Sequence, residues 1–282
     1  MKIKALLELS EKRLASELNE DLGGRSFKND ITTNQLLKKS KSIKCIISNR
    51  EEMILSGSIF IVNFLKKFFP KIKIKSFYKD GDRVKKNSTI LIMNGNAGKI
   101  LTIERTLLNF LQHLSSISSI TDRFVSKMGK SKTKLLDTRK TTTGLRKFEK
   151  YATSIGGAKN HRMGLYDDFL VKDNHIKILG GIDNALEKVK EKNINKYKIE
   201  CESFEEVEKS IKMGAKYILL DNMSVNEIKR CIKLKKKNII FEITGGITLK
   251  NISAYSKLGA DFISTSKITN SSYSLDIGLD II

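Results

Sequence analysis

The basic and imidazole side chains of Arg139, Lys140, Arg146, His161, Arg162, Lys172 and His175 all stand within the forty residues from Asp137 to Ile176. They are set among threonines and glycines rather than along an apolar helical stripe. Guanidinium forks pair carboxylate or phosphate oxygens two at a time, and ammonium groups add compact point charges. The cluster therefore suits a small substrate that carries several negative charges. A solvated basic face is the ordinary fate of Lys and Arg. Two features favour a site instead: Gly156-Gly157 stands close to His161-Arg162, and the apolar run Phe169-Leu170-Val171 leads straight into Lys172.

The elements that position these residues follow a regular beat from about residue 133 onward. Short apolar runs recur at Leu135-Leu136, 169–171, 197–199, 217–220, 239–241 and Phe262-Ile263. Amphipathic helices are expected between most of them. Ser203 with Glu206 and Ser224 with Glu227 have the spacing of capping boxes just after a strand. Val207 and Ile211 give one helix its apolar face, Gly214 its stop, and Thr248 is expected to cap another helix before Gly259. Strands alternating with helices imply parallel βα units and, at this count, a barrel. Its strands end in Asp137, Lys172, Glu200, Asp221, Glu242 to Thr244, and Ser264. One polar residue at a strand end merely begins a loop. Six in succession place them around one mouth, where (β/α) barrels build their sites.

The first hundred residues have another texture. Runs at 44–48, 54–55, 59–69, 72–77 and 89–93, with a turn over 79–87, predict an α+β domain of antiparallel strands with a helix. An amphipathic helix is expected at the start, and a long helix from Ala97 to about Lys127 leads into the barrel. No repeat, low-complexity tract or flexible linker is visible.

The chain of 282 residues is 40% apolar and 30% charged, the balance of a globular protein. No apolar run approaches the roughly 18 residues of a membrane span, and the start lacks the pattern of a signal peptide. Cys45, Cys201 and Cys231 are scattered and read as reduced thiols. The expectation is a cytoplasmic protein with no membrane partner. A net charge of +22 invites a nucleic-acid reading. However, abundant Lys, Ile and Asn, one Pro and no Trp are what AT-rich codon usage produces. No zinc-finger spacing or RNP-like aromatic motif is present, so no nucleic-acid partner is expected. His113, His161 and His175 with the three cysteines form no zinc pattern either.

The motifs resemble those of the quinolinate phosphoribosyltransferases nearly end to end. The match includes Glu20-Asp21-Leu22-Gly23, Asp30-Ile31-Thr32-Thr33, Arg50-Glu51, Asp80-Gly81-Asp82, and Glu104-Arg105-Thr106 with Leu108-Asn109. Its core is Asp137 to Thr142, Gly156-Gly157-Ala158 with Asn160-His161-Arg162, and Val171 to His175. Leu220-Asp221-Asn222, Gly245 to Thr248 and Leu275-Asp276 follow. The first, second and third blocks of that core are specific in order and spacing; isolated glycine pairs are not.

The resemblance implies an α/β fold, an N-terminal α/β sandwich domain followed by an open (β/α) barrel domain, with dimers as the minimal active unit. Boundaries are expected at 1–112 for the first domain with its connecting helix, 113–268 for the barrel, and 269–282 for a segment returning to the first domain. The implied reaction joins quinolinate to phosphoribosyl pyrophosphate (PRPP) with Mg²⁺, releasing pyrophosphate and CO₂ and giving nicotinate mononucleotide for NAD synthesis. Carried over residue by residue, Lys140, Lys172, Glu200 and Asp221 become catalytic, the two carboxylates facing Mg²⁺, in part through water. Thr138, Arg139, Lys140, His161, Arg162 and Lys172 would hold substrate, and Arg105 would reach the site of the partner subunit of a homodimer or larger assembly. Thr244, Gly245 and Gly246 would form one phosphate loop, and Ser264, Thr265 and Ser266 the other.

Decarboxylation next to a quaternised ring nitrogen needs no further electron sink, so Lys172 is expected as a fixed cation rather than a Schiff-base lysine. His175 is expected to support Lys172, and His113 to be core or interface. Glu202, two residues from Glu200, falls outside the matching positions. Departures from the family pattern are Ser266 where Gly is usual, which raises the question of its backbone angle, Thr244 for Ser, Thr143 for Pro, and Ser116 and Ser118 after the long helix. The rival readings are a related transferase with another aromatic acceptor, and a basic nucleic-acid-binding protein.

Overall fold

The computed structural model describes residues 3–37, 41–271 and 273–282. The chain divides into two compact units, Met1–Ile120 with Lys147–Gly156 and Ser272–Ile282, and Thr121–Arg146 with Gly157–Ser271.

The first unit opens with α1 (Ile3–Asp21), which buries Leu6, Ser10, Leu14 and Leu18 at every fourth position. That spacing lines one face of a 3.6-residue period. Met1 and Lys2, the first residues of the helix expected there, lie outside the described residues. Asp30 then caps α2 (Ile31–Leu36) by accepting from the Thr33 N–H. After β1 (Ser42–Asn49), β2 (Met53–Ile54), α3 (Ser58–Phe68), β3 (Lys73–Ser76), β4 (Arg83–Val84) and β5 (Thr89–Asn96) comes the long α4 (Ala97–Met128). β4 falls inside the span expected as a turn and pairs antiparallel with β2. The Asp80 carboxylate holds the start of α3 by accepting from the N–H groups of Gly57 and Ser58, and from the Tyr151 hydroxyl.

The second unit alternates strand and helix: β6 (Lys134–Leu136), β7 (Leu170–Val171), α6 (Asp173–Ile178), α7 (Ile182–Glu191), β8 (Lys198–Cys201), α8 (Phe204–Lys212), β9 (Tyr217–Asp221), α9 (Val225–Lys233), β10 (Ile240–Thr244), α10 (Ile252–Tyr255), β11 (Phe262–Ser264) and α11 (Lys267–Asn270). α5 (Arg146–Ile155) lies between β6 and β7 in the chain. The six strands run parallel in the order β6-β11-β10-β9-β8-β7. β6 and β7 stand at opposite ends of that order and do not pair among the described residues, so the barrel is open. Ser224 and Glu227 form the complete capping box at α9. At α8 Ser203 accepts from the Glu206 N–H, but the Glu206 carboxylate takes the N–H of Glu202 instead of closing the box.

Thr248 does not cap a helix. Its own N–H donates to the Asn251 side chain, and α10 is a single turn that starts at Ile252. The boundary between units also differs from the sequence expectation. It falls between Ile120 and Thr121 inside a continuous helix, and Lys147–Gly156 groups with the first unit. There the Phe148 ring meets Phe60 at 5.5 Å and Phe110 at 5.3 Å, edge to face. The C-terminal β12 (Ile277–Ile281) pairs antiparallel with β1 and completes a sheet in the order β12-β1-β5-β3. The Arg50 N–H donates to Asp276 O and the Asp276 N–H to Glu51, which ties two of the sequence motifs together.

Ser116 and Ser118 lie within α4 rather than after it, both buried with their hydroxyls paired: Ser116 accepts from the Leu275 N–H and Ser118 donates to Ile54 O. All three cysteines are free and buried. Among the described residues no helix is long and apolar enough to cross a membrane.

Candidate active site

A cavity of about 560 Å³ opens at the carboxyl ends of the parallel strands of the second unit. The loop after β6 supplies Thr138, Arg139 and Lys140, and the segment before β7 supplies His161 and Arg162. Lys172 follows β7, Glu200 lies in β8, Asp221 ends β9, Thr244 ends β10 with Gly245-Gly246 after it, and Ser264 ends β11. Twelve of the fifteen sequence candidates thus line one cavity. Arg105, exposed on α4 in the first unit, is not among its lining residues, nor are Thr265 and Ser266.

The buried Asp137 carboxylate joins the first two motifs. It accepts from the His161 N–H at 2.8 Å and from the Asn160 side chain at 2.7 Å. Thr138 Oγ1 accepts from the Lys140 N–H, and Arg146 donates to Thr141 and to Met163 O. Arg146 therefore braces the loop from outside the cavity.

Arg162 is only 7% exposed, and its Nη1 donates to Asp168 O at 2.9 Å. Burial, and then the neighbouring Arg139 charge, push its guanidinium below the ordinary value. The Arg139 Nε is buried without a hydrogen-bond partner. A buried donor left unpaired is costly, and two like charges side by side add to the cost. Both costs fall when an anion enters between them.

On the other side stand Glu200, Glu202, Asp221 and Asp173, the last from the start of α6. Burial, then Glu200 and Glu202, raise the Asp221 carboxyl above its ordinary value, while Lys172 acts the other way. Lys172 Nζ pairs with Glu200 Oε1 at 2.7 Å, and the Lys172 N–H donates to His175 Nδ1 at 3.0 Å. His175 thus supports the backbone of Lys172. His113 pairs with Glu149 at 2.9 Å in the first unit.

Among the described residues no group of three or more His, Cys, Asp or Glu is placed to hold a metal ion by itself. A Mg²⁺ ion, which keeps several waters and shares substrate oxygens, needs only one or two protein carboxylates. Glu200 and Asp221 fit that shared shell; they do not make a closed cage.

The Thr244-Gly245-Gly246 turn has a local cause. Gly245 has φ +83°, and a Cβ there would stand 2.2 Å from Asn222 Oδ1 and 2.7 Å from the Asn222 N. Only glycine fits. The Asn222 N–H itself donates to Thr244 O at 3.0 Å. The second loop is different. Thr265 donates to Ile247 O at 2.9 Å and accepts from the Lys267 N–H, so its hydroxyl is committed to the fold. Ser266 has φ −82° and ψ −9°, which any L-residue adopts, so the departure from glycine carries no backbone cost.

Sequence reasoning gave no site role to Glu202, which it set aside, to Asp173 and Asn222, which it named only within motifs, or to Glu242, which it placed only at a strand end, yet all four line the cavity. Glu242 is fully buried in mid-strand, in register through Leu219 with Glu200. Its signal was a single charge inside the apolar run of β10. Period-two alternation turns it to the same face of the sheet as Glu200.

The quinolinate phosphoribosyl transferase family models match this chain over both parts, the N-terminal domain at residues 30–115 and the C-terminal domain at 117–280. The chain belongs to that family. The quinolinate phosphoribosyl transferase relatives include the probable carboxylating nicotinate-nucleotide pyrophosphorylase of Methanocaldococcus jannaschii, 37% identical over 98% of this chain and 99% of the relative. The Bacillus subtilis protein of the same description is 36% identical over 90% of each. A solved nicotinate-nucleotide pyrophosphorylase from Ehrlichia chaffeensis superposes with a TM-score of 0.90, at 36% identity, over 100% of this chain and 99% of that one.

Proposed function

We propose that this protein transfers the phosphoribosyl group of PRPP to quinolinate with decarboxylation, giving nicotinate mononucleotide, pyrophosphate and CO₂ for NAD synthesis. The observation that carries the reading is the unpaired, buried Arg139 Nε beside the buried Arg162. Two guanidiniums so placed are a receptor for the two carboxylates of one small ring. Lys140 and Lys172 add charge for the phosphates of PRPP. Thr244, Gly245, Gly246 and Ser264 give the 5′-phosphate a turn that can approach closely, at the face where barrels bind phosphate.

The ring nitrogen attacks C1 of the ribose as pyrophosphate leaves. Lys140 and Lys172 hold cationic groups where negative charge grows. Mg²⁺, when bound, would neutralise charge on the leaving pyrophosphate, with Glu200 and Asp221 holding its water shell. The quaternised nitrogen then stabilises the carbanion left at the adjacent ring carbon as CO₂ departs, so Lys172 serves as a fixed charge. His161 orients the floor of the site: its Nδ1 accepts from the Arg162 N–H at 2.7 Å, which places the ring proton on Nε2.

A homodimer in which Arg105 reaches the partner's cavity is part of the same reading, supported by the exposure of Arg105 on α4. Work in the cytoplasm is supported by three cysteines that are unpaired. The test offers the purified protein PRPP with quinolinate or with nicotinate. Nicotinate mononucleotide and CO₂ from quinolinate are expected; turnover of nicotinate with none of quinolinate would reverse the choice of acceptor.

A further inference from the structure

The reaction proposed above consumes one proton per turnover, because hydrogen takes the place of the carboxylate lost from the ring. The cations of the cavity are needed as charges, and Glu200 and Asp221 as metal contacts. Glu242 answers to neither task. Its side chain is fully buried at the wall of the cavity. Oε2 accepts from the Tyr217 hydroxyl at 2.7 Å and lies 3.6 Å from His161 Nε2. Oε1 is buried and makes no hydrogen bond of ordinary length and angle, although the Ser264 hydroxyl lies close to the carboxyl. A buried carboxylate demands partners on both oxygens, whereas a neutral acid leaves far less unsatisfied.

Tyr217 does not line this cavity. It lines a second one of about 380 Å³, together with Lys159, Asp168, Lys198 and His161. Its ring is held by Lys198 Nζ at 4.4 Å from its centroid and by stacking on Phe262 at 6.1 Å. The hydrogen bond between Glu242 and Tyr217 therefore joins a residue that lines the first cavity to a phenol that lines the second.

We propose, resting on the function assigned above, that Tyr217 and Glu242 form a proton wire between the two cavities and that Glu242 Oε1 delivers the proton that replaces the departing carboxylate. The bond from the ring carbon to the carboxylate breaks, its electron pair stays on that carbon, and CO₂ leaves. The pair then takes the proton of the Glu242 acid. Glu242, now a carboxylate, takes the Tyr217 proton at Oε2 as the Tyr217 oxygen takes one from water in the second cavity, and a half-turn of the carboxyl then brings that proton to the Oε1 position.

The groups facing Glu242 come from four directions: Lys198 and Glu200 on β8, Tyr217 on β9, Ser264 on β11, and His161 before β7. Burial leads in raising the carboxyl above its ordinary value, and Glu200 adds to it, while Ser264, Tyr217 and Lys198 oppose.

The experiment measures pyrophosphate release and CO₂ release separately, in single turnovers of the full-length enzyme with quinolinate and PRPP, for Glu242→Gln and Tyr217→Phe. Thermal melts establish that each variant is folded. Glu242→Gln is expected to slow CO₂ release about 100-fold or more relative to pyrophosphate release, the usual worth of a positioned general acid, with the undecarboxylated nucleotide accumulating. Tyr217→Phe is expected to move the same ratio in the same direction, and to lower the solvent deuterium effect on CO₂ release. A folded variant of either kind that keeps the two releases in step overturns the wire, as does an equal loss of both. Absence of pyrophosphate release from quinolinate by the unmodified enzyme is a distinct outcome that defeats the functional reading itself.

Discussion

Lys172 and Glu200 stand side by side where β7 and β8 end, their side chains joined by an ion pair of 2.7 Å at the wall of the cavity. The register pairs Val171 with Ile199, so the next residues of the two strands meet at the strand ends. Lys172 is 41% exposed, and an ion pair with an exposed member contributes little to stability. Lys172→Ala should therefore lower kcat/KM by about 100-fold or more, the scale of losing a charge-assisted contact in a transition state, and leave the melting temperature nearly unchanged. A steady-state assay beside a thermal melt checks both. Parallel loss of stability and activity would mean that Lys172 is structural.

Arg139→Lys tests the fork rather than the charge. An ammonium cannot pair a carboxylate with two parallel bonds. The expected outcome is a rise in the KM for quinolinate that approaches that of Arg139→Ala, with the KM for PRPP less affected. Full activity in the lysine variant would show that charge alone suffices.

Asp221 carries a stability signature. Burial and the charges of Glu200 and Glu202 raise its carboxyl above the ordinary value of 3.8 in the folded state. Below that value both folded and unfolded chains hold the proton, and Asp221 has no effect. As pH rises above it the unfolded chain loses the proton first, so Asp221 lowers stability increasingly until its folded carboxyl has ionised as well. Asp221→Asn should therefore melt at a higher temperature than the parent at neutral pH, with the difference vanishing toward pH values of about 4. The same variant should lose activity and its response to added Mg²⁺. A destabilised Asp221→Asn at neutral pH would contradict the electrostatics.

Gly245→Ala places a Cβ 2.2 Å from Asn222 Oδ1 at a φ of +83°. A cost of about 1–3 kcal/mol in stability is expected from the backbone conformation alone. Weaker PRPP binding should accompany it, measurable by calorimetry. Unchanged affinity for PRPP would remove the turn from the phosphate site.

Arg105→Ala and Lys172→Ala should each be inactive alone. Mixed under conditions of subunit exchange they should recover activity, because a hybrid dimer would hold one site with both residues intact. Demonstrated exchange without recovery would place Arg105 outside a shared site.

Much of this was legible in the chain itself. The rim of the barrel could be read because each short apolar run stops at a residue that can do chemistry, from Asp137 to Ser264. Glu242 reads in the sequence only as one of the residues that end a strand, with no role assigned, and only the register with Leu219 and Glu200 shows it buried at the cavity. Thr265 resembled a phosphate ligand in the sequence, yet its hydroxyl turns to Ile247 O, a partner eighteen positions away that no local pattern announces. The Thr248 cap failed because the helix starts four residues later, at Ile252, and the Asn251 and Ile252 N–H groups go to the Thr248 carbonyl rather than to its hydroxyl. The unit boundary left no trace in composition because it runs through the interior of α4, where an apolar stripe continues without a break. Segment Lys147–Gly156, most of α5, joins the first unit through aromatic packing on Phe60 and Phe110, a long-range contact that periodicity does not encode.

The most direct measurement is a crystal structure of the protein soaked with quinolinate. The two ring carboxylates should be found on the guanidiniums of Arg139 and Arg162, with the ring nitrogen turned toward Glu200 and Asp221. Quinolinate bound elsewhere, or a cavity in which Arg139 and Arg162 hold nothing at saturating concentrations, would contradict the account.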